Sequence, residues 1–230
     1  MNTAIVLAGG SGSRMNSSIP KQYMMLNGRP VIYYSLKAFQ DCSFVDHIIL
    51  VTAREYIDYV KQNVLGDELG KVSAVVEGGA QRYDSVWEGL KNADDSGIIF
   101  VHDGARPCVT RKIIEDCYNE AVQSGACVAA VPVKDTIKVS GDKGIAIDTP
   151  DRNTLWQVQT PQVFSADTIK SAYAKMYSSG EFDGVTDDAM VVEKYEKCGV
   201  RLVRSDYRNI KITTPEDMEI AGIFIRDIMP

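Results

Sequence analysis

The chain has 230 residues, 45% hydrophobic and 24% charged, which is ordinary for a soluble globular protein and leaves little room for a second full domain. Its 25 Lys+Arg against 31 Asp+Glu give a net charge of −6, so the basic excess of a nucleic-acid-binding domain is missing, while a local cationic site for an anionic metabolite stays open. No apolar run reaches the ~18 residues of a membrane span, no basic leader precedes the first strand pattern, and five cysteines without a C-x-x-C read as reduced thiols of a cytoplasmic protein.

The first strand is expected over Thr3–Leu7, and it drops into Ala8-Gly9-Gly10-Ser11-Gly12-Ser13, with Arg14 and Lys21 beyond. A helix is expected over Val31–Gln40, where Ile32, Ser35, Leu36 and Phe39 recur at helical spacing. Strands His47–Thr52, Val72–Glu77, Ile98–His102 and Cys127–Val133 then alternate with helices Arg54–Val64, Arg82–Lys91 and Arg111–Ser124. Cys117 and Cys127 fall on these elements as core filler. Such βα alternation predicts an α/β fold, a mostly parallel sheet with helices on both faces. Sites in these sheets lie outside the carboxyl ends of the strands. The loops at Ala8–Lys21, Glu77–Arg82, His102–Pro107 and Pro132–Thr136 should therefore share one rim.

Beyond Val133 the rhythm becomes that of a hairpin. Ile137 and Val139 alternate, Gly141-Asp142-Lys143-Gly144 turns, and Ile145 and Ile147 alternate back. A lone ribbon is marginal in water, so its apolar face needs cover from the parent sheet or from a second subunit. The chain returns through Leu155–Phe164, helices around Ala166–Tyr177 and Asp188–Lys197, and a strand at Val200–Arg204. A strand at Asn209–Thr213 would put Lys211 with Asn209 and Thr213 opposite Ile210 and Ile212. The last helix has Thr214 as N-cap, Pro215 first, and Glu216 and Asp217 in its first turn. One domain, residues 1–230, with a protruding arm at 134–153, is the simplest organisation.

The glycine loop fails two familiar patterns. A Walker A loop needs G-x-x-x-x-G-K-[ST], and Gly9 plus five lands on Arg14. A dinucleotide fingerprint fails at its third glycine, since Gly10-Ser11-Gly12-Ser13-Arg14 leads to Met15. The loop keeps the parts of a phosphate cradle, closely spaced glycines and two cations, and is otherwise a tight turn.

L-A-G-G-S-G-S-R-M followed by P-K-Q-Y resembles the signature of the sugar-phosphate nucleotidyltransferases. VHDGARP (101–107), PVKDTIK (132–138), DRNTLWQVQTPQVF (151–164), VTDDAMVVE (185–193) and NIKITTPED (209–217) resemble, in that order, the 2-C-methyl-D-erythritol 4-phosphate cytidylyltransferase family. The resemblance implies a Rossmann-like, mostly parallel twisted sheet of the nucleotide-diphospho-sugar transferase type. It implies transfer of CMP from CTP to methylerythritol phosphate with release of pyrophosphate, in the non-mevalonate isoprenoid pathway. The chain ends at Pro230, after the last of these segments, so the cyclodiphosphate synthase domain fused to some relatives is not expected, and His47 and His102 could not build its metal site.

Residue roles follow from the resemblance. Arg14 and Lys21 would grip the triphosphate together with backbone amides of Gly9, Gly10, Ser11, Gly12 and Ser13; the bland account is two solvated cations. Lys211 would act at the α-phosphate, or is an edge-strand lysine. Asp103 would bind Mg²⁺ or another divalent cation and lie near sugar hydroxyls, unless it only caps a turn. Arg106 would contact substrate or pair with Asp103, and Arg82 would be structural. Backbone groups at Ala8, Gly79 and Ala80, with the Ser85 hydroxyl, would read cytosine. Thr136 and Arg152 would take the acceptor phosphate, while Thr160 and Thr186 would take its hydroxyls; Thr186 could instead cap a helix, and Arg152 could be an exposed arm ion pair. In the family the arm crosses to another subunit, which implies a homodimer with sites completed in trans. No nucleic acid or membrane partner is expected. Two other readings stay open: a ribitol 5-phosphate cytidylyltransferase, and a catalytically silent CTP-binding subunit.

Overall fold

A computed structural model of the chain describes residues 1–10, 15 and 19–228. β1 (Thr3–Ala8) opens it; after a 3-10 turn at Lys21–Tyr23 come β2 (Met25–Leu26), β3 (Arg29–Pro30) and α1 (Val31–Gln40). Next are β4 (His47–Thr52), a 3-10 turn at Arg54–Tyr56, α2 (Ile57–Asn63), β5 (Val72–Glu77), α3 (Arg82–Asn92), β6 (Ile98–Asp103), α4 (Arg111–Ser124) and β7 (Ala126–Pro132). The arm carries β8 (Val139–Ser140) and β9 (Ala146–Asp148). The chain returns through β10 (Trp156–Ser165), α5 (Ala166–Ser179), α6 (Asp188–Glu196), β11 (Arg201–Arg204) and α7 (Pro215–Ile228).

Seven strands form one sheet in the order β11-β7-β10-β6-β1-β4-β5, and β10 alone runs antiparallel to its neighbours. Every residue of β1 and β6 is buried, as parallel strands covered on both faces require. Side chains sort by the two-residue period of the strand. Ala4, Val6, Ile48 and Leu50 pack with Ile32, Leu36 and Phe39 of α1, Val60 of α2 and Ile114 of α4. Ile5, Leu7, Ile49 and Val51 pack on the other face with Val86 and Leu90 of α3, Tyr173 and Met176 of α5, and Val191 of α6. Cys117 and Cys127 are buried in the first cluster. α7 closes a third cluster with Leu26, Tyr34, Ile212, Ala221 and Ile225.

Several local expectations change. The expected helix at 54–64 begins as a 3-10 turn, and only Ile57–Asn63 is α-helical. Residues 209–213 join no sheet; one backbone bond, from the Ile212 amide to the Ala105 carbonyl at 2.9 Å, ties them to the core. Asp217 anchors this segment instead, its Oδ2 accepting from the Thr213 and Thr214 amides and the Thr213 hydroxyl. The helix α6 is capped by Asp187, which accepts from the Met190 amide, rather than by Thr186. β7 runs in the same direction as β6, both antiparallel to β10, so the loop after β7 leaves from the same rim as those after β1, β5 and β6, although it does not line the cavity there.

The arm ribbon is short, two and three residues, and the parent sheet leaves its apolar side uncovered. Ile145 and Ile147 are 63% and 67% exposed. No helix among the described residues is long and apolar enough to cross a membrane.

Packing of α3 on the sheet yields a test of sign. A methyl group at Gly89 would lie 2.5 Å from Ile5 Cγ2 and 3.3 Å from Val51 Cγ2. Alanine gains about 1 kcal/mol of helix propensity over glycine, while overpacking costs roughly 1–3 kcal/mol. Since both contacts are with rigid β-branched strand residues, Gly89→Ala should be net destabilising by about 1 kcal/mol. Urea unfolding checks this; a midpoint at or above that of the parent protein would contradict it.

Candidate active site

A cavity of about 420 Å³ opens at the carboxyl ends of β1, β5 and β6. Ala8, Gly9 and Gly10 line it where β1 ends, Asp103 where β6 ends, and Gly79 and Ala80 in the loop after β5. Arg82 and Ser85 come from the first turn of α3, Lys21 and Gln22 from the 3-10 turn, and Lys211 from the segment before α7. Nine of the expected residues thus meet in one place: Ala8, Gly9, Gly10, Lys21, Gly79, Ala80, Ser85, Asp103 and Lys211. Ser11, Gly12, Ser13 and Arg14 lie outside the described residues.

Charge in the cavity is organised around Asp103. Lys211 Nζ reaches its Oδ2 at 2.6 Å and Arg82 Nε its Oδ1 at 3.2 Å. Burial alone would raise this carboxyl, but Arg82, Lys211 and Arg106 together hold it far below the usual carboxylate range. Arg82 also makes a two-pronged pair with Asp188, Nη1 to Oδ1 at 3.0 Å and Nη2 to Oδ2 at 2.9 Å. Asp188 is fully buried, and Tyr173 donates its hydroxyl to Oδ1 at 2.6 Å. Gln162 accepts from the Asp188 and Ala189 amides at 2.9 and 3.0 Å, which fixes the start of α6 against β10. Against burial, Asp188 and Asp103 raise the Arg82 guanidinium well above its ordinary value, so it stays charged.

The floor beneath Asp103 is a hydrogen-bonded chain. The Asp103 amide donates to Thr160 Oγ1 at 3.1 Å, and Thr160 Oγ1 lies 3.0 Å from His102 Nδ1. His102 Nε2 faces the Arg106 carbonyl at 3.3 Å. A carbonyl only accepts, so Nε2 carries the proton and the Thr160 hydroxyl donates to Nδ1. Burial pushes His102 down to about 3, which keeps the ring neutral. Thr160 is next to Asp103 because β10 pairs antiparallel with β6, Gln162 opposite Val101. Asn209 is fully buried and donates to Gln159 Oε1 at 3.0 Å and the Thr160 carbonyl at 2.9 Å. Arg106 sits behind this floor, donating to the Asn209 carbonyl at 2.8 Å, while its buried Nε finds no partner among the described residues.

Two turns shape the upper wall. Gln22 Nε2 donates to the Ala8 carbonyl at 2.6 Å and the Gly10 carbonyl at 2.9 Å, and the Tyr23 hydroxyl bonds to Thr52 Oγ1. In the loop before α3, a Cβ at Gly79 would fall 2.2 Å from Asp84 Cβ, so only glycine lets the backbone lie this close to the helix. Gln81 and Asp84 form a reciprocal cap there, and Ser85 Oγ donates to the Gln81 carbonyl at 3.2 Å.

The remaining expected residues lie away from the cavity wall. Thr136 and Arg152 are exposed on the arm, and Arg152 donates to the Lys134 carbonyl at 3.1 Å. Thr186 is exposed and donates to Met190 Sδ at 2.9 Å. Gln22, Asp188, Tyr173 and the neutral role of His102 escaped the sequence reading. Each is a polar group whose importance depends on what folds against it. The sequence hint was position alone: Gln22 lies inside P-K-Q-Y, and Asp188 is the second of two adjacent aspartates.

The sequence matches the family described as IspD, 2-C-methyl-D-erythritol 4-phosphate cytidylyltransferase, over residues 2–227. A curated relative with that enzyme name from Lachnospira eligens is 62% identical over 226 residues, spanning 98% of this chain and 100% of the relative. One from Lachnoclostridium phytofermentans is 46% identical, spanning 98% and 96%. Among solved structures, 4-diphosphocytidyl-2C-methyl-D-erythritol synthase from Anaerococcus prevotii aligns with a TM-score of 0.82 at 33% identity, over 98% of both chains. The Francisella tularensis 2-C-methyl-D-erythritol 4-phosphate cytidylyltransferase aligns with a TM-score of 0.81 at 31% identity, over 97% of this chain and 99% of that one. Sequence and fold agree over almost the whole length, and the chain belongs to the 2-C-methyl-D-erythritol 4-phosphate cytidylyltransferase family.

Proposed function

We propose that this protein transfers CMP from CTP to 2-C-methyl-D-erythritol 4-phosphate, giving 4-diphosphocytidyl-2-C-methyl-D-erythritol and pyrophosphate as a step in isoprenoid precursor synthesis. The observation that carries the reading is the meeting of the glycine loop, Lys21, Asp103 and Lys211 in one cavity. Five free cysteines support a reducing, cytoplasmic setting.

The chemistry suits these residues. A phosphate monoester already carries ~1.5–2 negative charges at neutral pH, so the acceptor needs no general base. The neutral, buried His102 is consistent with that. The step needs relief of repulsion between two polyanions, in-line placement and stabilisation of the departing pyrophosphate. In this reading Arg14, Lys21 and the amides of the Gly9–Ser13 loop hold the triphosphate, and Lys211 serves the α-phosphate. Gly79, Ala80 and Ser85 read cytosine, whose edge offers an amine donor and ring acceptors, while the Ala8 carbonyl, expected to share in this, is already engaged by Gln22 Nε2 at 2.6 Å.

Mg²⁺ fits the donor set. Asp103 is the one carboxylate lining the cavity among the described residues, and it is ionised. No cluster of three or more metal-binding side chains exists among the described residues, which suits an ion held by one carboxylate and substrate phosphates. Asp103 would hold it, and the ion would supply charge neutralisation between the reacting phosphates. Lys211, with a side chain 38% exposed, is the Asp103 partner freest to move towards phosphate; Arg82 is fastened to Asp188.

For the acceptor, we assign the phosphate to Thr136 and Arg152 of a second copy of the chain and the hydroxyls to Asp103 and Thr186, with Arg106 contacting the substrate from behind the floor. The bare apolar side of the arm and the distance of Thr136 and Arg152 from their own cavity wall support a homodimer with sites completed in trans. Thr160 is 4% exposed with its hydroxyl engaged, so its contribution is best described as holding Asp103 in place.

Pyrophosphate release from CTP and Mg²⁺ with each of two acceptors tests the reading. The kcat/KM for methylerythritol phosphate should exceed that for ribitol 5-phosphate; the reverse order would make this a ribitol 5-phosphate enzyme, and no release with either would leave a silent CTP-binding subunit. Lys211→Ala should lower kcat by ~10²-fold or more, as expected when a donor to transition-state charge is lost; a change confined to KM would mark ordinary binding. Arg152→Ala and Lys21→Ala proteins, each inactive alone, should regain part of their activity when mixed, and failure to do so after verified subunit exchange would rule out the shared site.

A further inference from the structure

Gln22 lines the cavity yet is only 3% exposed, because its amide is spent on the glycine loop. Nε2 gives one N–H to the Ala8 carbonyl at 2.6 Å and the other to the Gly10 carbonyl at 2.9 Å. Both partners only accept, so the nitrogen must face them, and both of its donors are used. The Tyr23 hydroxyl adds a longer contact to the Ala8 carbonyl, 3.4 Å.

Those two carbonyls matter for an anion site. A peptide unit has a donor end and an acceptor end pointing opposite ways, because it is planar and trans. Fixing the Ala8 carbonyl therefore fixes the Gly9 N–H. Glycine peptides turn over easily, having no Cβ to restrict them. A carbonyl turned towards a triphosphate would repel it, so an agent outside the loop has to select the orientation. Gln22 is placed to do so from a buried position that the substrate need not touch.

We infer that Gln22 is a positioning residue for phosphate recognition: by holding the Ala8 and Gly10 carbonyls, it keeps these two acceptors from the triphosphate and fixes the Gly9 N–H as a donor to it. The inference rests on the CTP reading above. It differs from a general packing role in one respect, that its loss should be felt by the phosphates and not by the nucleoside.

Two variants of the full-length protein test this. Gln22→Met keeps the length and packing of the side chain and removes both donors, and Gln22→Glu sets a carboxylate against two carbonyls. CTP with Mg²⁺ is titrated by calorimetry, and cytidine at high concentration by NMR shifts. CTP affinity should fall roughly tenfold in Gln22→Met and further in Gln22→Glu, while cytidine affinity changes by less than about twofold. Unchanged CTP affinity in both variants, or an equal loss for CTP and cytidine, would overturn the inference. Parent protein that fails to bind CTP would instead remove the CTP reading, and the role of Gln22 with it.

Discussion

A buried negative charge at the end of β6 is the point on which the cavity depends. Asp103 brings Lys211 and Arg82 to one spot, and their charges hold its carboxyl ionised against the effect of burial. Such pairs contribute little net stability, since desolvation offsets most of the attraction, but removing one member costs roughly 3–5 kcal/mol. The arrangement therefore fixes geometry more than it adds stability. It also explains why helices behind the sheet matter to the rim. Arg82 is held by Asp188 of α6 and, through it, by Tyr173 of α5, so packing far from the cavity decides where a cation stands within it.

The same economy governs the neutral groups. His102 has a perturbed proton affinity and lies within the site, two features often taken to mark a catalytic base. Its hydrogen bonds point elsewhere. Both ring nitrogens are committed, one to Thr160 and one to the Arg106 carbonyl, so the ring acts as a strut for the turn that carries Asp103. An acceptor that arrives already ionised leaves no proton for such a group to take.

Much of this was legible in the sequence. β-branched runs bounded by turn residues located the sheet strands, because burial on both faces leaves an unbroken apolar record, and β4, β5, α1 and α4 match their expected bounds. The cavity was legible as a rim of loops. What the sequence hid were relations across the fold. Nothing in the order of residues shows that β10 enters between β6 and β7, which brings Thr160 to Asp103 and sets β7 and its following loop one strand further from the cavity. The strand expected around Lys211 failed for a related reason: Ile210 and Ile212 alternate with polar residues, yet they answer to α7 and its cluster rather than to a neighbouring strand. The alternation was real and still turned Lys211 towards Asp103.

The antiparallel course of β10 has one more consequence. β7 and β10 are adjacent, paired as Trp156 with Pro132 at the outer end, so the arm is the overhang of one long hairpin and not a tether hung from the sheet. Its root is braced by the Tyr207 hydroxyl on the Pro132 carbonyl and by Lys134 Nζ, 3.4 Å above the Tyr207 ring. Beyond that root only Val139–Ser140 and Ala146–Asp148 pair, with a register shift between them, so the reach of the arm is set by its loops and 3-10 turns as much as by strand. Because both legs leave from one paired root, shortening one leg alone would skew the tip sideways, whereas shortening both would draw it back towards its own sheet.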